Sequence, residues 1–328
     1  MKPVRMRLPA TSANLGPGFD AVGLALGIYL TVEARERALG FGVSASGRDA
    51  ERVGLVKGNL LLETYRDLAP AGPGLDLVVE NGIPLGMGLG SSAAALVAGV
   101  LLANHFGELG LSRQEMLEEA CLREGHPDNV AACLLGGFTV SAMAQGKVSA
   151  ASFPWSNLPW KIFVALPTES LATEKARALL PDSYSRADAV ANVQATGLLV
   201  SAFAQGRADL LEAAMRDRLH QPYREQACPL LPRLLTLTGT GGVHGVALSG
   251  AGPSVLLIAS GDLRQEDLRT RVREAAGLHD IELLETLIAG GVEDEEVGSL
   301  FHRVEHVVER GCQMMDVLTV HRCNERGV

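Results

Sequence analysis

Glycine is concentrated in three separated stretches, and this constrains the chain more than any other feature. The windows Asn14–Gly27, Gly82–Gly90 and Gly239–Gly252 hold 14 of the 37 glycines in a chain of 328 residues, roughly three times the density of an even scatter. Glycine permits positive φ and lets a backbone approach a ligand closely. An ordinary turn would explain any one window. Three windows so far apart are what three walls of a single ligand site would look like. Set against 37 Gly, the 8 Phe, 2 Trp and 4 Tyr suggest recognition by backbone groups rather than by stacked rings.

The middle window is the most informative. Leu75–Glu80 reads as a strand, Asn81–Gly90 as a loop and Ser91–Asn104 as a long buried helix. A glycine-rich loop feeding a helix start is an anion site, because unpaired N–H groups and the positive dipole end face the ligand. Ser91 and Ser92 either cap that helix or offer a hydroxyl to a phosphate or its metal. A Walker A loop would need Lys where Gly90 stands. A Rossmann fingerprint fails too, since Gly86-x-Gly88-x-x-Ser91 follows Pro84 and lacks the acidic ribose partner in the apolar helix beyond it.

Charge and hydropathy exclude several classes. With 29 Lys+Arg against 38 Asp+Glu and a net charge of −9, the chain lacks the basic surplus of a nucleic-acid binder. At 47% hydrophobic it is too apolar for disorder and long enough for two domains. The longest apolar run, Ala93–Ala103, is too short to span a bilayer. The five cysteines form no CxxC pair, which fits a reducing compartment, and the expected location is the cytoplasm. No internal repeat or low-complexity linker is visible. Trp160–Leu166, Val246–Ser249 and Ser254–Ala259 read as strands, and Ala187–Gln205, Asp209–Leu219 and Leu263–Ala276 as helices. The mixture points to an α+β fold.

Leu8–Leu26 (LPATSANLGPGFDAVGLAL), Pro84–Ala95 (PLGMGLGSSAAA) and Gly245–Ser254 (GVALSGAGPS) resemble, in order, the three signature motifs of the GHMP kinases. PATSANLGPGFD and the segment EGHPDNV (Glu124–Val130) resemble the members that act on homoserine. The resemblance covers roughly residues 3 to 290. It implies a two-domain GHMP kinase fold, the first domain (1–155) binding ATP and similar to ribosomal protein S5 domain 2, the second (156–290) ferredoxin-like. It further implies ATP- and Mg²⁺-dependent phosphorylation of the L-homoserine hydroxyl, a step of threonine biosynthesis, and a homodimer. Neither nucleic acid nor membrane is an expected partner.

The resemblance also assigns residues. The nucleotide falls to Asn59, near the adenine, and to Pro84, Leu85, Gly86, Met87, Gly88, Leu89, Gly90, Ser91, Ser92 and Ala93 around the phosphates. Asn59 reads equally well as a helix N-cap. Ser92 and Glu124 match the metal-contacting pair; without the motif, Glu124 is a solvated carboxylate at a helix end. Arg177 and Arg224 match two carboxylate-binding arginines, suited by their planar forks, with Thr173 beside the first. Asp20 matches the partner of the α-ammonium. Asn14 and Asn129 match the residues orienting the hydroxyl, with His126 alongside and Gly250–Gly252 closing the third loop. Some GHMP kinases have an aspartate base where this chain has Asn129, and an amide takes no proton at neutral pH. A loose transition state lets the hydroxyl lose its proton late, so Asn14, Asn129 and Glu124 are expected to act by position and charge. Asp128 reads as a structural hydrogen-bond partner.

Residues 291–328 lie outside the resemblance. They carry an amphipathic pattern in Leu300, Phe301, Val304, Val307 and Val308, and His302, His306, Cys312 and Cys323 without a standard metal spacing. Two other functions fit the motifs: a kinase for a mevalonate-like acid, disfavoured by Asp20, and a silent ligand sensor, disfavoured by Ser92 with Glu124.

Overall fold

A computed structural model describes residues 2–153 and 158–294. Its first half is organised on a seven-stranded sheet. The strands are β1 (Val4–Asn14), β2 (Gly18–Arg37), β3 (Phe41–Gly47), β4 (Gly74–Asn81), β5 (Phe138–Ala144), β6 (Lys147–Phe153) and a last short strand, Glu293–Asp294. The order is Glu293–Asp294, β1, β2, β4, β3, with β5 pairing both β2 and β6. Only β3 and β4 run parallel. Strict alternation in β4, with Leu75, Leu77 and Val79 buried and Asp76, Val78 and Glu80 exposed, marks a sheet wet on one face.

Helices α1 (Ala50–Val53), α2 (Leu60–Leu68), α3 (Ser91–Phe106), α4 (Arg113–Glu124) and α5 (Asp128–Leu135) belong with this sheet, and α2 to α5 share its hydrophobic core. The middle helix, α3, is apolar on nearly every side and buried over most of its length, as a central helix must be. Ser112 and Glu115 form a complete capping box on α4, and Asn59 caps α2 by accepting from the Leu62 N–H at 3.3 Å.

The second half is built on β7 (Trp160–Leu166), β8 (Val243–Leu248), β9 (Val255–Ser260) and β10 (Glu282–Thr286), antiparallel in the order β10, β7, β9, β8. Its helices are α6 (Thr173–Arg177), α7 (Arg186–Gln205), α8 (Leu211–Ala214), α9 (Gln221–Arg224), α10 (Leu230–Leu235) and α11 (Gln265–Ala276). Both faces of this sheet are covered, which is why β7 and β9 read as continuous apolar runs. Ile162, Val164, Leu256 and Ile258 join the core of the first half, while Phe163, Leu257 and Ala259 form a second core with α10 and α11.

One sequence expectation changes. The helix expected over Asp209–Leu219 is a 3₁₀ turn, Ala208–Leu210, followed by the short α8. Past it, Asp217 turns the chain by accepting from the N–H groups of Leu219, His220 and Gln221, a local competitor to helix bonding. The chain also returns to the first sheet after β10: Leu26 bridges Ile288, and Met6 and Arg7 pair with Asp294 and Glu293. The amphipathic pattern at 300–308 lies outside the described residues. Among the described residues no helix is long and apolar enough to cross a membrane.

Candidate active site

The three glycine windows meet around one strand end. At the end of β1, Thr11 N–H donates to Leu89 O at 3.0 Å, and Gly250 N–H donates to Ala13 O at 3.0 Å. Ser249 Oγ lies 2.8 Å from Gly88 O and 2.9 Å from Ser12 Oγ. The loop before α3 therefore packs directly on the loop after β8. Glycine is required where they touch: a Cβ at Gly88 would stand 2.8 Å from Gly252 O, and one at Gly90 would overlap Thr11 Oγ1, at φ values of +73° and +66° that side chains resist.

These loops border a narrow cleft lined by Asn14, Phe19, Asp20, Gly86, Gly88, Leu89, Gly90, Ser91, Ser92, Glu124, His126, Asp128, Asn129, Thr173, Arg177, Arg224, Gly250 and Ala251. Most of the sequence-predicted residues are thus gathered in one place. A second hollow, ≈ 270 Å³, shares Gly86, Ser91 and Ser92 with it and adds Asn59, Leu60, Leu61, Val79, Ile83 and Leu85. Asn59 is therefore both a helix cap and a wall of this largely apolar hollow. Pro84, Met87 and Ala93 line neither space. Ala93 is fully buried and Met87 packs against the core, so their side chains serve the loop's shape. Leu85 donates its N–H to Asp49 Oδ2 at 3.0 Å.

Helix α3 begins at Gly90 with no side-chain cap and no acidic residue in its first turn. Its first N–H groups and positive dipole end are left for an anion. Ser92 Oγ–H donates to Glu124 Oε1 at 2.6 Å, which sets two oxygen ligands side by side for a hard divalent cation. Burial pushes the Glu124 carboxyl above its usual range, against the Ser92 hydrogen bond and His126.

Across the cleft the charges are paired. Arg177 grips Asp20 with Nη1 at 3.0 Å and Nη2 at 2.6 Å. The two residues expected to receive opposite ends of a ligand thus hold each other, with Phe19 5.5 Å beneath the guanidinium. Asn14 Nδ2 donates to Gly250 O at 2.9 Å and Oδ1 accepts from Asp20 N–H at 3.0 Å. Asn129 Oδ1 accepts from Thr11 Oγ1 at 2.7 Å, and its Nδ2 donates to Asp128 Oδ1 at 3.2 Å. Among the described residues each amide has one N–H without an acceptor. Asp128 is buried, and its Oδ1 also takes His126 Nδ1 at 2.6 Å and Asn129 N–H at 2.7 Å. Burial lowers the His126 pKa, but the hydrogen bond and charge of Asp128, with Glu124, outweigh it and the net shift is upward. Asp20, His126 and Asp128 offer ligand atoms within 4.8 Å of one another, yet Arg177 and the His126–Asp128 bond already use them.

Thr11, Phe19, Ser249, Asp217 and His220 escaped the sequence reading. Only His220 left a signal, its i,i+4 spacing from Arg224, which puts two side chains on one helical face.

Family models for the GHMP kinases match the chain at 55–137, the N-terminal domain, and at 199–278, the C-terminal one. A homoserine kinase of Solibacter usitatus is 46% identical over 77% of this chain and 84% of its own length. One from Streptomyces coelicolor is 44% identical over 79% of this chain and 85% of its own. A crystal structure of homoserine kinase from Cytophaga hutchinsonii superposes with a TM-score of 0.75 at 24% identity, covering 90% of this chain and 98% of that one; it supports the fold. The chain belongs to the homoserine kinase family of the GHMP kinases.

Proposed function

We propose that this protein transfers the γ-phosphoryl group of ATP to the side-chain hydroxyl of L-homoserine, giving O-phospho-L-homoserine and ADP, a step of threonine biosynthesis. The relatives at 44–46% identity bear that name. The observation that carries the reading is one cleft with two chemically different sides: an uncapped helix start beside Ser92–Glu124, and the charged row Asp20, Arg177 and Arg224. The first side suits a triphosphate and the second a zwitterion.

In this reading the apolar hollow beside Asn59 takes the adenine, and the backbone of Gly86–Ser92 takes the phosphates. Ser92 and Glu124 would hold Mg²⁺, which supplies charge neutralisation on the phosphates. Asp20 receives the α-ammonium, and Arg177 and Arg224 the carboxylate, so the substrate replaces the Asp20–Arg177 contact by matching both partners. The spare N–H groups of Asn14 and Asn129 orient the hydroxyl. No side chain in this set is a strong base in the right place. Asp128 is engaged three times over on Oδ1 and holds His126 and Asn129 in position. Catalysis therefore rests on positioning and electrostatics. The same reading assigns 1–155 to the nucleotide domain, 156–290 to the second domain and 291–328 to an extension, supported by the division of the sheets near residue 155. The active form is a homodimer.

ADP release measured with homoserine, mevalonate and galactose in turn, with and without Mg²⁺, tests the proposal. Release with homoserine that depends on Mg²⁺ is the expected result. Release with mevalonate alone overturns the substrate, and no release with any acceptor overturns the kinase reading in favour of a binding protein.

A further inference from the structure

Arg224 is 1% exposed, yet it reaches the cleft. Two of its three nitrogens are held. Nε–H donates to Ala176 O at 3.2 Å, while Nη1 donates to His220 Nδ1 at 3.0 Å and, more weakly, to Gly250 O at 3.4 Å. Among the described residues nothing accepts from Nη2. The nitrogen left for a ligand is thus selected by the partners of the other two, of which His220 is the one side chain.

The imidazole is itself held on every side. Guanidinium only donates, so Nδ1 of His220 must be the accepting nitrogen, and the ring proton sits on Nε2. Nε2–H then donates to Gly16 O at 2.8 Å. A charged ring would point an Nδ1–H at a guanidinium donor. The ring is fully buried and stacks on Phe19 at 5.3 Å and 28°, and Phe19 lies 5.6 Å from the Arg224 guanidinium carbon. Asp217 accepts from the His220 backbone N–H at 3.0 Å and packs 3.5 Å from Nε2. Burial lowers the His220 pKa, although the Asp217 charge acts in the opposite sense.

We infer that His220 is a positioning residue for the acceptor substrate: as a neutral ring protonated on Nε2 and anchored to Gly16 O, it turns Arg224 so that Nη2 faces the cleft and meets the substrate carboxylate. The inference rests on the proposed role of Arg224 and adds what sets its direction. Gly16 O, outside the cleft lining, fixes the ring proton on Nε2 and so leaves Nδ1 free to accept from Arg224.

Two substitutions separate the two nitrogens. Asn places an acceptor near Nδ1 and no donor at Nε2; Gln reaches the Nε2 position with a donor and leaves Arg224 without its acceptor. His220→Gln is expected to raise KM for homoserine on the order of 10- to 100-fold, the scale of one charged hydrogen bond, with KM for ATP unchanged. His220→Asn is expected to keep KM for homoserine within about threefold, which is below the scale of one such bond. Equal increases in both variants, an unchanged KM in His220→Gln, or a matching shift in KM for ATP overturns the inference. ¹⁵N correlation spectra of the wild-type imidazoles decide the same point if either variant fails to fold: a neutral ring protonated at Nε2 at pH 7 is expected, and an Nδ1–H or doubly protonated ring overturns it. Absence of homoserine turnover in the wild type would instead defeat the proposed substrate, and the spectra would still judge the His220–Arg224 contact.

Discussion

Gly90 and Glu124 are individual residues whose surroundings decide what they can do. Gly90 sits in left-handed backbone against Thr11 Oγ1. Gly90→Ala is expected to cost on the order of 1–2 kcal/mol from the backbone alone, with a further loss as Thr11 and Asn129 separate. Calorimetry should show a lower Tm, and KM for ATP should rise. Glu124 is a different case, because its burial opposes its charge. A carboxyl raised in the folded state stabilises the fold below the ordinary carboxylate range and loses that contribution as pH rises through the raised value. Ionising the buried side chain is therefore a cost to the fold. Glu124→Gln should leave Tm at pH 7 equal or higher while weakening apparent Mg²⁺ affinity by at least the ~10-fold that loss of an outer-shell partner produces. In the wild type, Mg²⁺ affinity measured from activity should fall as pH drops through the raised Glu124 range, and in the Gln variant this acid limb should flatten.

Helix starts carry the site at the scale of elements. The site uses α3 for its free N–H groups and α5 for its first residues, Asp128 and Asn129, whereas α2 and α4 are closed by Asn59 and the Ser112–Glu115 box. The exposed and the capped ends were both legible: Gly90 before two serines promised an anion site, and Asn59 before Leu60–Leu62 promised a cap. The start of α5 was not legible, since its meaning depends on Thr11, 118 residues away, bonding Asn129. Asp128→Ala removes an acceptor shared by three donors, and urea denaturation should show a loss of about 1–3 kcal/mol. Homoserine turnover should persist at reduced level. Loss of all turnover with both substrates still bound would make Asp128 a catalytic base and overturn the baseless mechanism.

For the whole molecule, the cleft is complete between Asn14 and Ala251, and the last described strand, Glu293–Asp294, pairs with β1 with Arg7 bonded to Glu293 at 2.7 Å. Ending the chain after Asp294 should leave KM for homoserine and ATP unchanged, whereas ending it before Ile288 should lower Tm by exposing backbone of β2 and of Gly136 and Gly137 now paired with 288–290. Activity lost when the chain ends after Asp294 would show that the residues beyond it contribute to the site. Arg48 and Glu282 join the two sheets by an exposed bidentate pair. Pairs this exposed contribute little, so Arg48→Ala should change stability by no more than about 1 kcal/mol.

The class of fold was legible in the mixed strand and helix pattern and in the motifs that resemble the GHMP kinases, and the same motifs named most of the residues that the cleft brings together, because helix starts and short motifs express themselves within neighbouring residues. The partners of those residues were decided only in three dimensions. Asp20 with Arg177, Thr11 with Asn129, and Arg224 with His220 and Gly250 are contacts between elements brought together by two shared cores. A sequence can state which groups a site contains. Which nitrogen of a guanidinium stays free depends on what packing places against the others, and no spacing along the chain encodes that.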